Sequence, residues 1–158
     1  MFNEGMYIAI IGAAIAATLA GLGSAIGVQM GGKAAAGVLS EKPDLFGKLI
    51  VLQALPGTQG MYGFLTAILV LGKLGLTTNN PSVISTDQGW AFFGACLPIA
   101  IVGLVSAIFQ AKMSVNAIHM TAKQPGSSGR GIMMTVLVET YAILALLASI
   151  LMVNGIQI

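Results

Sequence analysis

GLGSAI, residues 21–26, returns as GLVSAI at residues 103–108, and the flanking sequences superpose without a gap. At that displacement of 82 residues (21 to 103), Gly12-Ala13 falls on Gly94-Ala95, Pro43 on Pro125, Gly47 on Gly129, Leu55 on Leu137 and Thr58 on Thr140. A proline, a loop glycine and an SAI triplet kept in one register point to a duplicated unit. The composition says where that unit lives. Of the 158 residues, 56% are hydrophobic and only 8% charged, against about 25% charged in an ordinary soluble domain. Apolar runs cover roughly residues 6–32 and 49–72 in the first copy and 89–111 and 131–153 in the second. Each is long enough for the ~20 residues that cross a hydrocarbon core. The fold expected is an all-α membrane protein with four transmembrane helices, arranged as two duplicated hairpins. The leader MFNEGMY has no Lys or Arg, so the first run is read as a mature helix and not as a signal peptide.

The hairpins should span residues 1–76 and 89–158, joined by an external loop at 77–88. Basic residues gather at two of the polar breaks: Lys33, Lys42 and Lys48 near LSEKPDLFGK (39–48), and Lys112, Lys123 and Arg130 near TAKQPGSSGR (121–130). By the bias of Lys and Arg toward the cytoplasmic side, loops 39–48 and 121–130 are expected in the cytoplasm, with both termini outside. The two hairpins then enter the cell membrane in the same sense. Inverted repeats mark many alternating-access transporters, whereas parallel hairpins suit a ring. Trp90 and Tyr7 fit the outer interface, where aromatic side chains anchor spans. The net charge of +2 and the lack of a basic cluster exclude a nucleic-acid partner. Cys96, the single cysteine, is read as a small packing residue.

Gly23, Gly27 and Gly31 recur every fourth residue along the first helix, a stripe that allows close backbone approach between membrane helices. GLGSAIG has GxGxxxG spacing and no preceding strand, so it does not qualify as a dinucleotide fingerprint.

Polar side chains inside the spans are few. In LPGTQGMY, Leu55, Thr58, Gln59 and Tyr62 sit at i, i+3, i+4 and i+7 and share one helical face. Pro56 lacks an N–H and should loosen the helix there, so that a backbone oxygen near Leu55 can face a ligand. The third span contributes Gln110, between Ser106 and Ser114, and TVLVETYAIL (135–144) contributes Glu139. If the second hairpin turns near residues 124–125, Gln110 and Glu139 lie equally far from the turn and should face each other. Gln59 lies about as far beyond its own turn near Pro43.

A carboxylate at the middle of a span costs about 2.5–3.5 kcal/mol on insertion scales. Three roles are open to it: a neutral structural acid bonded to Gln59 or Tyr62, a partner for a base, or a ligand for a translocated cation. No Lys or Arg of the chain is expected at matching depth. One negative charge among neutral oxygens suits a monovalent ion better than Ca²⁺ or Mg²⁺. Sodium is favoured, with a proton as the alternative. His119 is read as an interfacial polar residue. A small four-helix cation or drug exporter is a more distant reading, and its acid would be expected in the first helix.

LPGTQGMYGF (55–64), VETYAIL (138–144) and the duplicated GxxSAI hairpin together resemble the proteolipid, or K, subunit of V-type ATPases, most closely the bacterial sodium-transporting branch. The resemblance spans essentially the whole chain. It implies a rotor ring, a homo-oligomer of four-helix protomers in the lipid bilayer. The ring turns against a stator membrane subunit with a basic residue, and a central-stalk subunit docks at the cytoplasmic loops. It further implies that Glu139 carries Na⁺, that Thr58, Gln59, Gln110 and the Leu55 backbone carbonyl are the other ligands, and that Tyr62 locks the site by a hydrogen bond to the glutamate. By the same resemblance the protein is not itself an enzyme. No GxxxxGK[ST] phosphate loop is present, so ATP hydrolysis is expected in partner subunits. In the first repeat Gly57 stands where the second has Glu139, so one carboxylate serves four helices.

Overall fold

The computed structural model describes residues 3–78 and 80–158. They form helices α1 (Glu4–Leu39), α2 (Phe46–Ala54), α3 (Thr58–Lys73), α4 (Thr86–Lys123) and α5 (Ser128–Gly155), with 3₁₀ turns at Pro43–Leu45, Leu55–Gly57 and Pro125–Ser127. Counted as spans, Glu4–Leu39, Pro43–Lys73, Thr86–Lys123 and Pro125–Gly155 are four helices long and apolar enough to cross a membrane. The second is one rod interrupted at Leu55–Gly57. Each hairpin turns through a proline-led 3₁₀ segment, at Pro43 and at Pro125.

The helices outrun the apolar stretches that announce them. At 36 residues and ~1.5 Å per residue, α1 is about 54 Å long, well beyond a hydrocarbon core of about 30 Å. Apolar composition marks only the part that lipid surrounds. The backbone ladder continues past Lys33 and Lys112, whose ends can reach an aqueous or headgroup region.

The seam between α1 and α4 explains the glycine stripe. A Cβ on Gly23 would stand 2.7 Å from both the Cα and the carbonyl oxygen of Leu104, and one on Gly12 would stand 2.7 Å from the Cα of Phe93. At Gly27 it would meet Cβ of Pro56 at 2.7 Å, and at Gly31 the Cα of Gln53 at 3.1 Å. The helices therefore touch backbone to backbone, and the stripe also seats the interrupted second span. Alanines fill the rest of the seam, Ala9, Ala13, Ala16 and Ala20 on α1 against Ala95, Ala100 and Ala107 on α4, all buried.

The ends are tied by side chains that satisfy helix termini. Asn3 caps α1 through its side-chain oxygen, and its Nδ2 donates to the Ile84 carbonyl at 2.6 Å. Ser85 and Gln88 form a reciprocal capping box at the start of α4. After α3, Gly75 (φ 73°) takes the left-handed conformation, with Leu76 N–H bonding to Leu71 and Gly75 N–H to Gly72; a residue with a Cβ is disfavoured at such a helix end. Lys73 donates to the carbonyls of Val153 (2.7 Å) and Asn154 (3.0 Å) near the end of α5. At the opposite end, Lys42 donates to Ala122 (2.6 Å) and Lys48 to Pro125 (3.0 Å), so the two hairpin turns are clamped together. Lysine at helix C-termini also offsets the negative end of the helix dipole.

Candidate functional site

Three helices converge on Glu139. It projects from α5, is 7% exposed, and is linked to the fully buried Gln110 and through it to the fully buried Gln59. Tyr62 donates its hydroxyl to Oε1 of Glu139 at 2.6 Å, and Gln110 donates Nε2 to the other carboxylate oxygen at 3.3 Å. Gln110 in turn accepts from Nε2 of Gln59 at 2.5 Å. The Thr58 hydroxyl lies 3.1 Å from the Leu55 carbonyl and 3.4 Å from Oε1 of Gln59; its one proton can serve either. Every residue marked in the sequence for this site is thus in one hydrogen-bonded cluster: Leu55, Thr58, Gln59 and Tyr62 from the second span, Gln110 from α4 and Glu139 from α5. Equal distance from the hairpin turn brings Gln110 and Glu139 to one level.

The cluster's chemistry follows from its atoms. The cluster gathers one carboxylate, two side-chain amides, two hydroxyls and a backbone carbonyl, and the carboxylate itself takes the Tyr62 O–H and Gln110 Nε2 donors. Among the described residues no three His, Cys, Asp or Glu side chains gather, so the donor set is hard oxygen with a single charge. Such a set suits a small, weakly charged cation.

Two details differ from the sequence reading. The carbonyl that Pro56 deprives of its helical partner is that of Leu52, four residues back, and the buried Ser114 hydroxyl donates to it at 2.5 Å. The Leu55 carbonyl instead takes the Thr58 N–H that closes the 3₁₀ turn, together with the Thr58 hydroxyl. Lys112 lies only two residues from Gln110 along α4, so a base is close in depth after all. Its ammonium sits over the Phe109 ring, 4.9 Å from the ring centre.

His119 is exposed at the end of α4 that carries the hairpin turn, apart from Glu139. It lines a cavity of about 440 Å³ with Lys33, Glu41, Lys42 and Lys123. Cys96 is fully buried within α4. Ser24 and Ser114 bond to the backbone on either side of the broken turn, and nothing in the sequence pattern marks those contacts. Counting four residues back from Pro56 would have exposed the Leu52 carbonyl, though not the serine that meets it.

Two repeated hairpins, four membrane-length helices and one buried carboxylate among amide and hydroxyl oxygens define a multi-pass membrane proteolipid. The chain belongs to the ATP synthase C-subunit family, which it matches twice, over residues 11–70 and 93–152. It is 45% identical to the V-type sodium ATPase subunit K of Enterococcus hirae over 96% of this chain and 93% of that protein. The A-type ATP synthase subunit K of Methanocaldococcus jannaschii is 42% identical over 92% of this chain and 61% of its own length. The 16 kDa proteolipid of the V-type proton ATPase of Nephrops norvegicus is 25% identical over 91% of this chain and 88% of its own length.

Proposed function

We propose that this chain is the rotor-ring subunit of a rotary V-type ATPase and that it carries Na⁺ across the membrane on Glu139. The observation that carries the reading is the cluster itself, in which amide, hydroxyl and carbonyl groups of the second span and α4 are linked by hydrogen bonds to one carboxylate of α5. Thr58, Gln59, Gln110 and the Leu55 carbonyl are the proposed co-ligands, and Tyr62 is the proposed lock. Similarity to a sodium ATPase subunit supports the choice of ion. The rotor ring is a homo-oligomer of this chain, with residues 1–76 and 89–158 as its two hairpins and 77–88 as the outer connection. Loops 39–48 and 121–130 face the cytoplasm, where a central-stalk subunit docks, and both termini face outward.

The mechanism derives from the energetics of the buried charge. A bare carboxylate facing lipid is unfavourable; a bound cation cancels the charge, and the loaded site can traverse the bilayer-facing part of a turn. At the interface with the stator, a basic side chain of the stator competes for Glu139 and the ion leaves. Without an ion, the Tyr62 and Gln110 donors hold the carboxylate. Rotation is driven by ATP hydrolysis in partner subunits, against about 2.3 kcal/mol per elementary charge for each 100 mV.

The test is carbodiimide labelling of the purified ring, since the reagent attacks protonated carboxyl groups. Na⁺ is expected to protect Glu139. In Gln110→Ala the half-protecting Na⁺ concentration should rise by at least about tenfold, as expected for loss of one buried polar partner. Labelling that follows pH and ignores Na⁺ would replace the sodium reading with a proton ring.

A further inference from the structure

The ligand-bearing turn is held from both sides by serines of other helices. Upstream of Pro56, the Leu52 carbonyl has no proline N–H to accept, and Ser114 of α4 donates to it. Downstream, α3 begins with Gly57 as its N-cap, a residue with no side chain to accept from the first turn. The Gly60 N–H donates instead to Ser24 Oγ of α1 at 2.8 Å. This is the bond an N-cap serine would make, supplied here by a different helix. Both serines are buried.

The repeat provides an internal comparison. Ser106 is the counterpart of Ser24 and occupies a similarly buried position, yet its hydroxyl turns to Gly103 of its own helix at 3.5 Å. The second repeat has Val138 where the first has Pro56, so α5 has no broken turn to hold. Pro98 lies inside the uninterrupted α4, and beside it, away from the site, the Ile99 N–H donates to Ser149 Oγ of α5 at 3.3 Å. A neighbour's hydroxyl thus meets the backbone beside both prolines, but only at Leu55–Gly57 is the helix interrupted, and only there does the held turn lead into the proposed ligands.

We infer that Ser24 and Ser114 are positioning residues for the ion site. Between them they fix where α3 starts relative to α1 and α4, and so where the Thr58 and Gln59 oxygens lie relative to Gln110 and Glu139. A turn fixed at both ends keeps the oxygens at one separation, which favours Na⁺ over the larger K⁺. The inference rests on the ion-binding reading above.

The test uses the intact ring with two readouts, amide hydrogen exchange over residues 52–60 without Na⁺ and protection of Glu139 by Na⁺ or K⁺. In Ser114→Ala and Ser24→Ala, exchange should speed up and the half-protecting Na⁺ concentration rise, each by about tenfold, with K⁺ closing part of its gap to Na⁺. Ser114→Thr, which keeps the hydroxyl, should stay within about twofold of wild type, well under the tenfold of a lost hydrogen bond. Ser149→Ala, which removes the hydroxyl beside Pro98, should leave Na⁺ protection unchanged. Unchanged exchange and protection in assembled Ala rings overturn the inference. So does an equal loss of protection in Ser149→Ala, which would mark a general packing effect. If Ser114→Ala does not assemble, Ser24→Ala decides. A wild-type ring that Na⁺ does not protect refutes the ion reading instead, and exchange alone then judges the brace.

Discussion

Glu139→Gln is expected to assemble into a ring that moves no Na⁺. The substitution keeps the shape and an oxygen able to accept from Tyr62, now 2.6 Å from Oε1. It removes the only charge in the cluster and puts an amide in place of a carboxylate that takes donors on both oxygens. Glutamine accepts on one side only, so either the Tyr62 hydroxyl must rotate to accept from its amide or the Gln110 amide must flip. Folding should not suffer much, because a buried charge is replaced by a neutral group and charge burial is itself unfavourable. Transport should fall to background, a loss of at least about a hundredfold, since nothing remains to repay dehydration of the ion. Counterflow of radioactive Na⁺ in vesicles carrying the reconstituted complex measures it. Transport above background in this variant would move the carrier role elsewhere.

Gly23→Val is expected to prevent assembly altogether. The added Cβ would lie 2.7 Å from two backbone atoms of Leu104, and backbone inside a helix cannot step aside as a flexible side chain can. Relief requires α1 and α4 to separate, which would open the seam that also seats Pro56 opposite Gly27. Loss of close packing removes much of what holds membrane helices together. Gly21→Ala and Gly37→Ala are the controls, since a Cβ at either meets nothing within 4 Å. Size-exclusion chromatography of detergent-solubilised protein should show no ring for Gly23→Val and normal rings for both controls.

Much of this architecture is legible in the sequence because few physical rules govern it. Membrane spans must be long and apolar, close seams need small residues, and a lone acid inside a span needs partners. Equal distance from the hairpin turn puts Gln110 beside Glu139, because helical rise is constant and both helices of the hairpin start from one point. The i, i+3, i+4, i+7 spacing placed Thr58, Gln59 and Tyr62 together for the same reason. What stayed hidden depends on helix rotation and on contacts across helices. Nothing in the spacing tells Ser24, which reaches Gly60, from Ser106, which turns to Gly103. Lys112 reads as a boundary charge, and only the structure shows its ammonium over the Phe109 ring. The clamps made by Lys42, Lys48 and Lys73 belong to the same class, since a flexible lysine finds its carbonyl only after the helix ends meet.

The central claim is that this oxygen cluster holds one sodium ion per chain. Equilibrium binding of radioactive Na⁺ to the purified ring tests it most directly. Saturation at one ion per protomer, abolished by Glu139→Gln, is the predicted result. Absence of saturable binding, or saturable binding that survives Glu139→Gln, would contradict it.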